Sequence, residues 1–164
     1  MLHPADTIAD VTRPGGLRGV RVLLVNMPLR ESAPPNCAPL GPALLAARLR
    51  EYWADVSILD LNAYRVQDAL AESRGLAKSG RHLTTDEIDA LLSRHLAVHG
   101  EPHMVGLSGK ITTLRFQRHV AKTVRAYLPN TLLVTGGGLA TEFRAGLFTW
   151  IPELDGVAHS EGDD

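Results

Sequence analysis

Residues 20–27 read Val-Arg-Val-Leu-Leu-Val-Asn-Met, and Pro28 follows them at once. The run is short, rich in β-branched residues and apolar at neighbouring positions. A strand has this character when helices cover both faces of its sheet. Proline lacks the N–H that a further ladder hydrogen bond would need, so the strand is expected to end there. The stretch therefore predicts a central strand of a parallel sheet.

Four further segments resemble strands, and helical segments alternate with them. The predicted strands are Asp55–Leu61, Met104–Ser108, Thr131–Thr135 and Gly156–His159. The predicted helices that connect them begin at Gly41, at Leu114 (to Leu128) and at about Thr141 (to Trp150). This alternation predicts an α/β fold, a doubly wound five-stranded parallel sheet with strand order 2-1-3-4-5 and right-handed crossovers.

A longer helical insertion is predicted between strands two and three, over about residues 63–100. Thr84 and Glu87 have the spacing of a capping box, in which each residue satisfies a backbone N–H of the other. An apolar stripe follows at helical spacing, formed by Ile88, Leu91, Leu92 and Leu96. The insertion is therefore expected to contain a well-defined helix.

Two other helices have a predicted inward face. In the helix that begins at Gly41, the apolar side is assigned to Leu40, Leu44, Ala47 and either Leu45 or Leu49. In the helix from Leu114, the inward residues are Phe116, Val120, Val124 and either Tyr127 or Leu128. Its basic residues are predicted to face water: Arg115, Arg118, Lys122 and Arg125.

Length and composition narrow the class of protein. The chain has 164 residues, which suits one domain over residues 20–164 with a lead-in segment over residues 1–19. A net charge of −1 gives no cationic surplus for nucleic acid, and no apolar run reaches the length of about 20 residues that spans a membrane. The single cysteine, Cys37, excludes cysteine-built zinc or iron–sulfur sites and favours a reduced, cytoplasmic setting.

Ligands of such sheets bind outside the carboxyl ends of the strands, where the strand order reverses. The common phosphate motifs are missing there. Residues 26–30, Asn-Met-Pro-Leu-Arg, replace the G-x-G-x-x-G of dinucleotide domains, and the G-x-x-x-x-G-K-[ST] loop is absent. Ser108 stands where a phospho-receiver domain needs an aspartate, and the glycines around it do not have the G-x-S-x-G spacing of hydrolases.

Small residues on three loops remain as the candidate site. Gly109 follows Ser108, the triplet Gly136-Gly137-Gly138 follows strand four, and Gly162 follows strand five. Without side chains, these positions let a large, flat or extended ligand approach the backbone closely. The residues themselves do not say which ligand this is.

The ordered segments carry a resemblance to a known family. They are VRVLLVNMP, PLGPALLAARLRE, VSILDLNAY, VGLSGKIT, LLVTGGGLAT and DGVAHSEGD. In this order they resemble the N-terminal cobalamin-binding domain of cobalamin-dependent radical SAM enzymes, a Rossmann- or flavodoxin-like domain. The resemblance covers about residues 20–164.

The resemblance implies a set of cofactor-binding residues. The loop after strand one would touch the corrin face, and the loop after strand three would lie below the corrin ring beside the nucleotide tail. The triple glycine would form a floor for that tail, and the loop after strand five would contact its base. In chain order, the implied residues are Met27, Pro28, Leu29, Ser108, Gly109, Lys110, Ile111, Thr112, Gly136, Gly137, Gly138, Glu161 and Gly162.

The chain departs from related families at two points. Cobalamin-dependent methyltransferases and mutases carry D-x-H-x-x-G after strand one, and this loop has no histidine. The resemblance therefore implies cobalamin held base-off without a protein imidazole. The C-x-x-x-C-x-x-C motif is also missing, so the [4Fe-4S] cluster and SAM would belong to a radical SAM part absent from this chain.

Three functions stay open. The first is a module that holds cobalamin for a radical SAM reaction, by default a methyl transfer, and supplies no acid, base or nucleophile itself. The second is a stand-alone cobalamin carrier or sensor. The third is a flavodoxin-like domain for another nucleotide, or an unliganded interaction domain.

Histidines recur every four residues at positions 95, 99 and 103. Gly100 and Pro102 interrupt the helix that would align them, so no metal site is predicted there.

Overall fold

Five parallel strands lie side by side in one sheet in the order β2-β1-β3-β4-β5. The computed structural model describes residues 14–28, 38–63 and 83–160. The strands are β1 (Arg21–Asn26), β2 (Asp55–Asp60), β3 (Met104–Ser108), β4 (Leu132–Gly136) and β5 (Gly156–Val157). The predicted fold class and strand order are confirmed, and each strand lies within about one to two residues of its predicted bounds.

The helices occupy both faces of the sheet. They are α1 (Leu40–Glu51), α2 (Thr85–His99), α3 (Leu114–Tyr127), α4 (Gly138–Phe143) and α5 (Leu147–Trp150). The β1–β2 connection runs in one direction along the sheet and the later connections run in the other. Right-handed crossovers therefore place α1 on one face and the later helices on the opposite face.

Two hydrophobic clusters reflect this division. The larger cluster lies on the face of α2 and α3 and includes Leu23, Val25, Ile88, Leu92 and Val120. The smaller cluster lies under α1, where Val22, Leu24 and Val56 of β1 and β2 meet Ala46 and Ala54. Alternate residues of β1 thus enter different clusters, as the period of two in a strand requires.

The helical insertion between β2 and β3 is confirmed in its second part. Helix α2 begins with the predicted capping box. The Thr84 hydroxyl accepts a hydrogen bond from the Glu87 N–H at 3.2 Å, and the Glu87 carboxylate accepts one from the Thr84 N–H at 2.8 Å. Ile88 and Leu92 are buried, and Leu91 and Leu96 are half-buried against the same cluster. Residues 64–82 of the insertion lie outside the described residues.

The predicted inward face of α1 is wrong except at Leu49, one of the two alternatives, which is half-buried against the smaller cluster. Leu40 and Leu44 are 70% and 71% exposed, whereas Pro42 and Ala46 are buried and face the sheet. The helix is apolar around most of its circumference, so periodicity alone does not select the buried side. The small side chains face the sheet because they let the helix axis approach the strands closely.

The predicted helix from Thr141 to Trp150 is divided in two. Helix α4 already begins at Gly138, and a 3₁₀ turn over Arg144–Gly146 separates it from α5. Arg144 has φ +47°, a left-handed conformation that a right-handed helix cannot continue through. The glycine at position 146, which is disfavoured inside helices, follows two residues later.

Arg125 was predicted to face water and is instead half-buried. Its guanidinium donates hydrogen bonds to the carbonyl oxygens of Pro129 at 2.8 Å, Thr131 at 3.1 Å and Glu153 at 2.8 Å. It also pairs with the Asp155 carboxylate at 2.7 Å. The side chain therefore joins the end of α3 to the segments that precede β4 and β5.

No helix in the described ranges combines the length and apolar character that a membrane crossing requires.

The Asp155 carboxylate gives a pH-dependent contribution to stability. Its pKa is lowered, first because it accepts a hydrogen bond from the Leu133 N–H at 2.7 Å, and further because Arg125 pairs with it. A lowered folded-state pKa stabilises the fold above the unfolded value of about 4, and this contribution is lost as the pH falls through the folded value.

Asp155→Asn should therefore lower the free energy of unfolding by about 0.5–1 kcal/mol at pH 7, since the side chain is 42% exposed and its charge is partly screened. At pH 3 the loss should be smaller. Urea unfolding at both pH values measures it, and an equal loss at both would contradict the assignment.

Candidate functional site

The carboxyl edge of the sheet presents four residues in a row. Strand register places Asn26 opposite Asp60 on one side and opposite Ser108 on the other, and places Ser108 opposite Gly136. The Asn26 amide donates a hydrogen bond to the Asp60 carboxylate at 2.8 Å. The row is therefore polar over β2, β1 and β3, and has no side chain at β4.

An apolar groove opens beside this row, on the face of the sheet that carries α1. Its volume is about 240 Å³. The groove runs between α1 and strands β3 and β4. It is lined by Leu24, Pro42, Leu45, Leu49, Met104, Gly106, Leu107, Ser108, Val134, Thr135, Gly136, Gly137 and Ala158. None of these residues carries a charge, so the groove favours an uncharged group.

Two glycines in the strands deepen this groove. Gly106 of β3 lies between Leu24 and Val134 in the register, and Gly136 lies at the end of β4. A Cβ atom at Gly106 would lie only 2.9 Å from Cδ2 of Leu24, so that leucine occupies part of the space a side chain would fill. A Cβ atom at Gly136 would make ordinary contacts with Ala158 at 3.7–3.9 Å. The missing side chains thus leave part of the β3–β4 surface free.

The loops that follow β3 and β4 touch each other. Gly137 has φ +83°, which L side chains rarely adopt, and a Cβ atom there would lie 3.2 Å from the Gly109 carbonyl oxygen. The N–H of Leu139 in α4 points to the same oxygen at 3.5 Å. The two loops therefore form one continuous wall at the mouth of the groove.

A buried polar network supports this wall from below. Thr113, Gln117 and Thr135 are all 0% exposed. The Thr135 hydroxyl donates a hydrogen bond to the Gln117 amide oxygen at 2.8 Å, and the Gln117 amide nitrogen donates to the Thr113 hydroxyl at 3.3 Å. The Thr113 hydroxyl in turn donates to the Lys110 carbonyl at 2.8 Å. Through these bonds the end of β4 is held to the loop after β3.

The network explains one of the predicted site glycines. A Cβ atom at Gly109 would overlap the Thr113 hydroxyl and would lie 2.6 Å from the Gln117 amide nitrogen. Packing within the protein is thus sufficient reason for glycine at position 109. No comparable contact exists at Gly138, where a Cβ atom would meet nothing within 4 Å. Gly136 and Gly138 therefore remain the members of the set whose missing side chains the fold does not require.

The rest of the loop after β3 lies at the surface. Lys110 and Thr112 are exposed, and Ile111 is 47% exposed. They follow Ser108, which lines the groove, so the predicted loop residues do come together at the carboxyl edge. Their role towards a ligand stays a prediction.

The loop after β1 is placed differently. Met27 is 1% exposed and belongs to the larger cluster, on the face of the sheet opposite the groove. Its N–H donates a hydrogen bond to the Ser108 carbonyl at 3.1 Å, and Pro28 is also buried. The Met27 side chain therefore does not line the groove. Leu29, Glu161 and Gly162, together with Cys37, lie outside the described residues.

Sequence reasoning missed most of the groove. Gly106 carried a usable signal, because a glycine inside a strand pattern often marks a close approach of another group to the backbone. Leu45 and Leu49 were alternatives for the inward side of α1, but nothing in the sequence connected them with a ligand site. In the sequence, Val134 and Ala158 are indistinguishable from other residues of the predicted strands.

The three spaced histidines lie near the opposite, amino edge of the sheet. His95 Nε2 is 2.9 Å from the Ser57 hydroxyl, and His103 Nδ1 accepts a hydrogen bond from the Arg21 N–H at 3.0 Å. Burial, and then the neighbouring His99, lower the pKa of His95. Within the described ranges, no three His, Cys, Asp or Glu side chains are grouped so that they could hold a metal ion.

The chain matches no model of a known protein family and no curated protein.

Two glycine substitutions test whether packing within the protein requires a glycine at position 109. Gly109→Ala should lower the free energy of unfolding by about 1–3 kcal/mol, because the new methyl group has to displace Gln117 and Thr113. Gly146→Ala is the matched control. Its backbone is helical (φ −59°, ψ −23°) and a Cβ atom meets nothing within 4 Å, so stability should hold or rise by up to about 1 kcal/mol. Urea unfolding of both variants measures the difference, and equal effects would refute the packing argument.

Proposed function

We propose that this chain is a cobalamin-binding module that holds the cofactor base-off and His-off for a radical SAM reaction. The observation that carries the proposal is the apolar groove with an uncharged described lining, which reaches the carboxyl edge at Ser108, Gly136 and Gly137. The nucleotide tail of the cofactor would enter the groove, and the corrin ring would lie over the edge of the sheet.

The size of the groove supports this assignment. A buried apolar cavity of about 150 Å³ takes up benzene in an engineered protein. The groove has about 240 Å³ and is open at its mouth, so it has room for a fused two-ring base. Its apolar lining suits the ring faces of such a base, since burying apolar surface is worth about 25 cal/mol per Å².

The position of the groove supports it as well. In open α/β sheets, ligands bind outside the carboxyl ends of the strands at the switch point, here between β1 and β3. Dinucleotide and phosphate-loop motifs are absent from this edge. The ordered segments that resemble cobalamin-binding domains provide the groove's glycines and the Ser108 loop.

The residues of the chain would bind and orient the cofactor. Gly136 would let the tail approach β4, and Ser108 and the backbone of the loop after β3 would meet the polar part of the tail at the mouth. When bound, the cofactor would supply a methyl group for transfer to a substrate radical. The radical SAM part, with its cluster and SAM, would generate that radical outside this chain. The cytoplasm, where the single cysteine stays reduced, is the expected location.

A stand-alone carrier or sensor is the alternative, because the same groove would serve it. A C-x-x-x-C-x-x-C segment in the reading frame beyond Asp164 would favour the radical SAM assignment. An in-frame stop codon would favour the carrier, unless a separate radical SAM chain proves to be its partner.

Corrinoid binding tests the proposal directly. The purified chain is mixed with hydroxocobalamin, freed of excess by gel filtration and examined by absorption spectroscopy. We expect about one corrinoid per chain with a base-off spectrum. A chain that retains no corrinoid, or retains FMN or an adenine nucleotide instead, would overturn the proposal.

The His-off state has its own test. His159 follows β5 at the carboxyl edge and is exposed. His159→Ala should leave the electron paramagnetic resonance spectrum of bound cob(II)alamin unchanged. Loss of nitrogen coupling in that variant would identify a protein imidazole on the cobalt.

Filling the groove should weaken binding without harm to the fold. Gly136→Val places a β-branched side chain in a strand, where it is favoured, and its Cβ atom makes only ordinary contacts. The affinity for hydroxocobalamin should fall at least about tenfold, which corresponds to 1.4 kcal/mol, while the free energy of unfolding holds or rises. Gly146→Ala should bind as the unchanged chain does. Unchanged affinity in Gly136→Val would show that the groove is not part of the binding site.

Gly137→Val would be a poorer test, since φ +83° strains any side chain there.

A further inference from the structure

The polarity of the side chains that line the groove affects which base of a nucleotide tail the groove can hold. Among the described residues that line the groove, only Ser108 and Thr135 have polar side chains. Thr135 shares its face of the sheet with Leu107, its partner in the register, and not with the groove. Its hydroxyl lies 2.8 Å from the Gln117 amide oxygen and 3.3 Å from the Leu107 carbonyl oxygen. Its single proton is therefore already donated within the protein.

The backbone groups between β3 and β4 are occupied too. Strands β3 and β4 pair along their whole length, from Met104 opposite Leu132 to Ser108 opposite Gly136. At the far side of β4, the Ala158 N–H donates a hydrogen bond to the Thr135 carbonyl at 2.8 Å. Among the described lining residues, Ser108, at the carboxyl end of β3, is thus the side chain that can still hydrogen-bond a base.

Corrinoids differ in the base at the end of their nucleotide tail. The dimethylbenzimidazole of cobalamin carries two methyl groups on its outer ring. An adenine base carries an exocyclic amino group and additional ring nitrogens instead. Inside an apolar groove the methyl groups gain burial, whereas the amino group and ring nitrogens lose water without finding partners.

We infer that the groove selects corrinoids by their lower base and takes dimethylbenzimidazole in preference to adenine. This inference rests on the proposed cobalamin-binding function and specifies its ligand. The discrimination comes from the apolar side chains that line the groove, chiefly Leu45 and Leu49 of α1 and Val134 of β4, which offer no hydrogen-bond partner. The adenine-containing corrinoid should bind at least about tenfold more weakly.

Three corrinoids test this with the chain of 164 residues. They are hydroxocobalamin, pseudocobalamin, which carries adenine, and cobinamide, which lacks the nucleotide. Equilibrium titrations followed by absorption should rank hydroxocobalamin first, with the other two weaker by at least about tenfold. Equal affinities for hydroxocobalamin and pseudocobalamin would overturn the inference and leave the proposed function standing. Equal affinity for cobinamide would show that the base contributes nothing to binding, and it would also overturn the inference. No binding of any corrinoid would instead refute the proposed function.

A paired substitution locates the selectivity in the groove. Val134→Thr keeps the β-branched shape and adds a hydroxyl to the groove floor. It should bring the two affinities closer by several-fold, because adenine has more hydrogen-bonding atoms than dimethylbenzimidazole and gains more from the added hydroxyl. Val157→Thr is the control, since its register partner is Thr135 and its side chain lies on the opposite face. A purely structural effect would weaken both corrinoids equally, so an unchanged ratio in Val134→Thr would contradict the inference.

Discussion

The parallel register of β1, β3 and β4 is the constraint on which the rest of this structure depends. It places Asn26, Ser108 and Gly136 in one row at the carboxyl edge. It also places Leu24, Gly106 and Val134 side by side on the face that carries α1. A slip by one residue would exchange the two faces of a strand and close the groove with core side chains. The groove and the glycine loops therefore follow from the same pairing.

The buried network of Thr113, Gln117 and Thr135 gives that edge a defined shape. Three buried polar side chains in contact are tolerated because each finds a hydrogen-bond partner inside the protein. Leaving one of them unpaired would cost about 1–3 kcal/mol, so the arrangement favours a single geometry. The network holds the loop after β3 against the end of β4, and Gly109 is the residue that fits between them. Glycines at this edge thus have different causes: packing at Gly109, backbone conformation at Gly137, and open space at Gly136 and Gly138.

Much of the fold could be predicted because its signals are local. The apolar run at residues 20–27, the capping box at Thr84 and the stripe on α2 each lie within a few residues of one another. Alternation of strand and helix then leaves few topologies that right-handed connections allow. Two of the predictions that were wrong concern long-range contacts. Arg125 is held by carbonyls and by Asp155, up to 30 residues away, and the inward face of α1 depends on which side chains fit the sheet.

By itself, the sequence determined the order of the elements, the doubly wound sheet and the edge at which small residues collect, because these depend on periodicity and on glycine and proline. Only the tertiary structure showed that a groove lies beside this edge on the α1 face. That groove arises where α1 covers β1 and β2 while the glycines of β3 and β4 leave space beside it. Described residues from six separate elements or loops line it. Such a surface has no sequence signature, because its lining residues are common apolar residues that come together only when the strands pair. The same pairing sends Met27 to the opposite face, although it stands next to the predicted loop in the chain.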